Sequence, residues 1–113
     1  MPHCIIEYSK TIEIAIDLDS VIDNVFEAVS ESDLFERSSV KVRAIGYDFY
    51  KSGLDDHNFI HVCIRILSGR NKQQKKILSN AVLSRLSQVT EGVKSITIEV
   101  VDMETTCYSK QES

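Results

Sequence analysis

Hydrophobic periodicity along this 113-residue chain alternates between two residues and three to four residues, which predicts alternating strands and helices. A short strand at residues 2–8 precedes an amphipathic helix, which begins near Asp17 and Asp19 because carboxylates cap free amides and oppose the helix dipole. The apolar residues of this helix are Leu18, Val21, Ile22, Val25, Phe26 and Val29. From Ser39 the period becomes two, which predicts a second strand with Val40, Val42 and Ala44 on its apolar face.

The same order returns in the second half of the chain. A third strand over residues 58–67 carries an apolar face of Ile60, Val62, Ile64 and Ile66. The turn Ser68-Gly69-Arg70-Asn71 ends it, and Asn71 and Gln74 have the spacing of a capping box for a second helix. The predicted buried residues of that helix are Ile77, Leu78, Ala81, Val82, Leu86 and Val89. After Gly92, a fourth strand alternates Ile96, Ile98 and Val100 with Thr97, Glu99 and Val101.

This duplicated order predicts an α+β fold in one domain over residues 1–113. Each half, 2–50 and 58–102, is predicted to be a right-handed β-α-β unit with two parallel strands. The two units together form a four-stranded mixed sheet with two helices on one face. The polar tail at 103–113 has no periodicity, so we expect it to be loose or to be docked only in an oligomer.

The sheet face that the helices leave open has a mixed composition. It carries Lys41, Arg43, Ile45, Phe59, His61, Cys63, Arg65, Thr97, Glu99 and Val101. Such a face is too polar for a sealed core and too apolar for a solvent-facing surface. We therefore expect a homo-oligomer that packs these faces together, with the ionic residues paired or lining a cavity.

Composition excludes several classes of partner. The net charge is −4 and the 13 basic residues are scattered, which argues against nucleic-acid binding. The sequence has no apolar run near the roughly 18 residues of a membrane span and no secretion signal, so we expect a cytoplasmic protein. Cys4, Cys63 and Cys107 fit neither a redox pair nor a zinc site, which suits a reducing compartment, and the first two are interpreted as core or strand residues.

Pro2 is the only proline, and it lies directly before the apolar strand residues Cys4-Ile5-Ile6. If the initiator methionine is removed, the Pro2 nitrogen becomes a basic secondary amine rather than an amide. An α-amino group has a pKa of about 8, and burial or nearby cations lower it toward the pH at which a general base works best. The competing interpretation is that Pro2 only begins a strand.

Three cations accompany this proline in the sequence pattern. Lys41 and Arg43 alternate on the second strand, and Arg70 lies in the glycine-bearing turn before the second helix. Arginine binds a carboxylate through two hydrogen bonds, and free amides at a helix start add to the attraction for an anion. The set suits a small carboxylate-bearing substrate. Alternatively, each cation is solvated or paired with a carboxylate of this chain or of a neighbour.

The histidines and tyrosines give weaker indications. His57 and His61 are separated by about 13 Å if the segment is extended, so we predict no metal site. His3 lies beside the proposed base, but packing or hydrogen bonding is the favoured role for a strand histidine. Tyr47 and Tyr50 could supply an aromatic wall, and none of these residues is predicted to be catalytic.

The sequence resembles the 5-carboxymethyl-2-hydroxymuconate isomerases of the tautomerase superfamily over residues 2 to about 102. The resemblance rests on the order and spacing of Pro2-His3-Cys4-Ile5-Ile6-Glu7-Tyr8, Val40-Lys41-Val42-Arg43, Phe59-Ile60-His61-Val62 and Leu67-Ser68-Gly69-Arg70. It implies a homotrimer, no cofactor, Pro2 as the catalytic base and Arg70 as the arginine that binds and polarises a dicarboxylate. The family pattern has arginine where this chain has Lys41, and Arg43 follows at a position that also holds arginine. Lysine lacks the two-pronged grip, so the exact substrate stays open.

The implied reaction is isomerisation of a small unsaturated 2-hydroxy (di)carboxylic acid, such as 5-carboxymethyl-2-hydroxymuconate, in aromatic-compound catabolism. Neutral Pro2 removes a proton, the cations stabilise the dienolate, and the prolinium returns the proton further along the conjugated chain. Two alternatives stay open. One is a phenylpyruvate-type keto-enol tautomerase with the same proline, and the other is a non-catalytic oligomeric binding module on the same scaffold.

Overall fold

Strands and helices follow one another in the predicted order. The computed structural model describes residues 1–53 and 58–113. Its main elements are β1 (His3–Ser9), α1 (Leu18–Ser30), β2 (Lys41–Tyr47), β3 (Phe59–Leu67), α2 (Lys72–Ser87) and β4 (Ser95–Met103). Short 3-10 turns at Lys10–Ile14, Arg37–Ser39 and Thr105–Cys107 connect or follow them. The polar stretch at 51–56 between the two halves, which has turn chemistry, lies only partly within the described residues, and His57 lies outside them.

The strands form a mixed sheet in the order β2-β1-β3-β4. β1 is parallel to β2, β3 is parallel to β4, and the two halves meet through the antiparallel pair of β1 and β3. The predicted α+β fold with duplicated β-α-β units is therefore confirmed. The assignment of the whole chain to one domain stays a prediction.

Both helices pack on one face of the sheet. The buried helical residues are Val21, Val25, Ala28, Val29, Leu78, Val82 and Leu86, and the buried strand residues beneath them include Cys4, Ile6, Ile60, Val62, Ile64 and Ile66. The buried stripe of α2 is narrower than predicted, because Ile77 is 58% exposed and Ala81 is also exposed. Leu78, Val82 and Leu86 recur every four residues, so they lie on one side of the helix and Ile77 points away from the sheet.

The helix starts are fixed by the predicted caps. The Asp17 carboxylate accepts a hydrogen bond from the Asp19 backbone at 3.0 Å. At the start of α2, the Asn71 side chain accepts from the Gln74 backbone at 2.8 Å, and the Gln74 side chain accepts from the Asn71 backbone at 2.9 Å. This capping box satisfies amides that a helix start leaves free, and it fixes the chain directly after Arg70. Among the described residues, no helix combines the length and apolarity needed to cross a membrane.

The C-terminal segment differs from its prediction. After β4, the turn Thr105–Cys107 brings the chain back toward β1, where Tyr108 is half-buried and its hydroxyl lies 2.9 Å from His3 Nε2. The Thr105 hydroxyl lies 2.7 Å from that of Ser68. The segment through Tyr108 is therefore docked on the single chain rather than loose or dependent on an oligomer. The contacts of Tyr108 with His3 and of Thr105 with Ser68 are polar, so hydrophobic periodicity could not predict them.

Candidate active site

Pro2 lies directly before β1, and it is Met1 rather than Pro2 that lines the neighbouring cavity. The Pro2 ring is fully buried, and the Pro2 carbonyl accepts a hydrogen bond from the Lys41 backbone at 3.1 Å, which extends the pairing of β1 with β2 by one residue. Met1, which precedes it, lines a cavity of about 450 Å³. The other lining residues are Asp33, Leu34, Phe35, Glu36, Ser39, Leu67, Arg70 and Lys110. A cavity of this size accommodates a small organic acid.

Arg70 is held in place on the wall of this cavity. Gly69 precedes it with a φ of 130°, a conformation that a side chain would disfavour, so the Gly-Arg pair forms the turn between β3 and α2. The Arg70 guanidinium donates a hydrogen bond to the Leu34 carbonyl at 2.5 Å and lies 4.8 Å from the Phe35 ring centroid. Since a guanidinium has five N–H groups, these contacts orient it and leave donors free for a ligand.

Lys41 and Arg43, the two cations of the second strand, have different surroundings in the structure. Lys41 Nζ lies 3.9 Å from Met1 Sδ, so its charge is close to the amino terminus. Arg43 instead lies beside His3, with Nη1 3.3 Å from His3 Nδ1, and neither Lys41 nor Arg43 is among the residues that line the cavity. The fold thus places Lys41 beside the amino terminus and places Arg70 on the wall of the cavity that Met1 also lines, while Arg43 lies two residues beyond Lys41 on β2.

The surroundings favour a neutral amine at this end of β1. The pKa of the Met1 amino group is lowered from its ordinary value of 8.0, mainly by burial and then by the positive charges of Arg70, Lys110 and Lys41. Glu112 opposes the shift. Burial and nearby positive charge both penalise the protonated form of an amine. An amine here therefore has more of its basic form available near neutral pH, as a general base requires.

His3 connects the cations to the C-terminal tail. Because arginine only donates, His3 Nδ1 accepts the bond from Arg43, and Nε2 carries the hydrogen that is donated to the Tyr108 hydroxyl. The pKa of His3 is lowered by burial and then by Arg43, Lys41, the amino terminus and Arg65. A neutral ring with a hydrogen bond at each of its two nitrogens agrees with the predicted hydrogen-bonding role of His3.

The other candidate groups lie away from the cavity. Tyr47 pairs with Ser9 at the opposite end of β1 and donates to Glu7 at 2.5 Å, and the Tyr50 ring packs edge-on against Phe59 at 5.5 Å. His61 contacts Thr97 at 2.7 Å and Glu99 at 2.6 Å on the open sheet face. Within the described ranges, no three His, Cys, Asp or Glu side chains are grouped so that they could hold a metal ion.

Sequence reasoning missed Lys110 and the segment at residues 33–36. Lys110 lines the cavity from the polar tail, where no periodicity or motif indicates a position in the fold. Leu34 and Phe35 lie between the predicted first helix and second strand, in a stretch to which the sequence pattern assigned no role, yet they contact the guanidinium of Arg70. For Lys110, the sequence offered only a positive charge, and a charge alone does not indicate a position at the cavity.

The sequence model of the 5-carboxymethyl-2-hydroxymuconate isomerase family matches residues 2–112. The chain belongs to this family. It is therefore an isomerase, and the resemblance given by its sequence motifs is confirmed. Comparison with curated proteins finds no significant match.

Several solved structures share the fold of this isomerase. A 5-carboxymethyl-2-hydroxymuconate delta-isomerase superposes with a TM-score of 0.85 at 17% identity, covering 100% of this chain and 89% of that one. A 5-carboxymethyl-2-hydroxymuconate isomerase from Deinococcus radiodurans R1 gives a TM-score of 0.85 at 16% identity, with 99% and 90% covered. The wild-type symmetric trimer of the fused 4-OT W0 gives 0.72 at 11% identity, with 96% and 93% covered.

Proposed function

We propose that this family member isomerises small unsaturated 2-hydroxy dicarboxylic acids without a cofactor, and that Pro2 is the general base once Met1 is removed. The observation that supports this most strongly is the convergence of Lys41 and Arg70 on the buried amino-terminal end of β1, beside a cavity of about 450 Å³. Membership of the family supports the reaction class. The choice of a dicarboxylate rests on the cations of the site, which are Arg70 and Lys110 on the cavity wall and Lys41 beside Met1.

The proposed mechanism is a proton transfer along a conjugated chain. The neutral Pro2 nitrogen takes the proton of the 2-hydroxyl group, which leaves a dienolate with negative charge on the 2-oxygen. Arg70 and Lys41 stabilise that charge, because oriented donors in a partly water-free site act strongly on a developing oxyanion. The prolinium then returns its proton to a carbon further along the chain, which yields the ketone and regenerates the base.

Removal of Met1 is a requirement of this mechanism. While Met1 is attached, the Pro2 nitrogen belongs to an amide and has no basic lone pair. The Pro2 carbonyl is fixed by the Lys41 backbone at 3.1 Å, so we expect the ring to keep its place when the preceding residue leaves. The burial and positive charge that lower the pKa of the Met1 amine would then act on the proline amine.

Arg43 has an indirect role in the proposal. It does not line the cavity, and its contact is with His3, whose ring connects β1 to Tyr108. We assign Arg43 to positioning and to the positive potential of the site. We assign Lys41, whose Nζ lies 3.9 Å from Met1 Sδ, to stabilising the charge that develops beside the amino terminus.

We further propose that the isomerase is a homotrimer. The supporting observations are the open sheet face, on which Ile45 is 53% exposed, and the likeness in fold to the fused 4-OT symmetric trimer. Packing of these faces would cover apolar side chains that the single chain leaves in water.

The mechanism is tested on protein whose intact mass shows Pro2 as the first residue. Ketonisation of 2-hydroxymuconate, followed by ultraviolet absorbance, should be fast for this protein, and Pro2→Ala and Arg70→Ala should each reduce kcat/KM by at least about tenfold. Arg85→Ala is the matched control, since Arg85 is also half-buried but bonds Asn24 and Glu31 in the helix layer. Turnover unchanged in both site variants would remove the mechanism. Faster turnover of phenylpyruvate enol than of the diacid would favour the phenylpyruvate-type alternative.

A further inference from the structure

The C-terminal tail contributes a basic side chain to the cavity. Among the described residues that line it, Arg70 and Lys110 are the basic ones, and Asp33 and Glu36 are the acidic ones. Lysine provides three N–H donors on a flexible stem, so it can follow a carboxylate whose position varies between substrates. Lys110 thus brings to the cavity the chemistry of an anion-binding group.

Two anchors, both before Lys110 in the sequence, fix the segment that leads to it. On one side, the Thr105 hydroxyl lies 2.7 Å from that of Ser68, and the Ser68 backbone donates to the Met103 carbonyl at 3.1 Å. On the other side, Tyr108 accepts the hydrogen bond of His3 at 2.9 Å, and the two rings meet edge-on with centroids 6.2 Å apart. Ser68 lies two residues before Arg70, and His3 directly follows Pro2. The tail is therefore attached to the two elements that form the proposed site.

Without a ligand, Lys110 pairs with a carboxylate of its own tail. Lys110 Nζ lies 3.6 Å from the Glu112 carboxylate, and both side chains are exposed, at 50% and 58%. Exposed ion pairs of this kind contribute only about 0–1 kcal/mol. A carboxylate presented by a bound substrate can therefore take the place of Glu112.

A dicarboxylate needs more positive charge than one arginine supplies. Arg70 can hold one carboxylate through its guanidinium fork, and Lys41 lies by the amino terminus, where the oxyanion would form. The second carboxylate then requires another cation on the cavity wall, and the acidic side chains of Asp33 and Glu36 make an unpaired site for it unfavourable.

We propose that Lys110 binds the second carboxylate of the substrate and thereby sets the preference of this isomerase for diacids over monoacids. This assignment rests on the proposed function. It makes Lys110 a specificity-determining residue, and it makes Tyr108 and Thr105 positioning residues that hold the tail at the cavity.

The test compares a diacid with a monoacid in protein that begins at Pro2. For Lys110→Gln, KM for 2-hydroxymuconate should rise by about fivefold or more, as expected for one partly exposed ionic contact, while KM for phenylpyruvate enol stays within about twofold. Lys110→Arg should retain most of the preference for the diacid. Glu112→Gln should lower KM for the diacid, because the competing carboxylate is gone.

Lys10→Gln is the matched control. It removes the same charge from an exposed lysine at the other end of β1, roughly 25 Å from Pro2 at the rise of an extended strand. An unchanged KM for the diacid in Lys110→Gln, with full activity, would overturn the assignment and leave the proposed function intact. Equal rises for diacid and monoacid would also overturn it. A processed wild-type protein that turns over neither acid would instead contradict the proposed function.

Discussion

His3 follows the proposed base and contacts both the second strand and the C-terminal tail. Its protonation lowers the stability of the folded chain. The pKa of His3 in the folded chain is lowered from 6.5, first by burial and then by Arg43, Lys41, the amino terminus and Arg65. The unfolded chain therefore takes up this proton at a higher pH than the folded chain. By linkage, folding loses stability as pH falls below 6.5, until the lowered folded pKa is passed, and above 6.5 the effect is absent.

We therefore expect the advantage of wild type over His3→Gln in free energy of unfolding to shrink as pH falls from about 7.5 to about 5.5, a range that spans the ordinary pKa of histidine. Urea unfolding at fixed protein concentration measures it, and the other histidines cancel in the comparison because both proteins contain them. A difference that stays constant over this range would contradict the assigned protonation state of His3.

Between elements, β2 packs tightly against β1 at Gly46. A Cβ atom at this position would lie 2.9 Å from Tyr8 Cε2 and Cζ. The Tyr8 ring cannot easily move away, since it is 7% exposed and its hydroxyl donates to Glu13 at 2.5 Å. Burial and the Glu13 bond also raise the pKa of Tyr8 to about 12, so the hydroxyl remains a donor.

Gly46→Ala should consequently destabilise the fold by about 1–3 kcal/mol, as overpacking of a filled core does. The midpoint of urea unfolding should fall accordingly. Gly53→Ala is the control, because a Cβ at Gly53 meets nothing within 4 Å and its φ is not in the left-handed region. Equal midpoints for the two variants would show that Tyr8 moves aside at little cost.

The elements themselves could be predicted from the sequence because each strand and helix has its own period and caps. Periodicity does not specify how wide a helix face the sheet covers, so the predicted burial of Ile77 on α2 was wrong. For the site, the alternation on β2 grouped Lys41 with Arg43, but strand register decides which of the two is near Pro2. The contribution of Lys110 depends on hydroxyl contacts between distant residues, Thr105 with Ser68 and Tyr108 with His3, and no local pattern encodes these.

For the whole molecule, the open face of the sheet combines paired polar groups with uncovered apolar side chains. His61 bonds Glu99 at 2.6 Å and Tyr47 bonds Glu7 at 2.5 Å, so these polar groups already have partners within the chain. Ile45 is 53% exposed on the same face. Covering such a face in an oligomer removes apolar area from water without leaving these bonded groups unpaired.

A charge on this face should therefore disrupt the proposed trimer. We expect sedimentation equilibrium of wild type to give three times the monomer mass, and Ile45→Glu to shift the population toward monomer, since an unpaired carboxylate is costly to bury. Ile77→Glu is the matched control, because Ile77 is 58% exposed on α2, against 53% for Ile45, but lies in the helix layer. If Ile77→Glu dissociates the oligomer and Ile45→Glu does not, the helices rather than the open sheet form the interface.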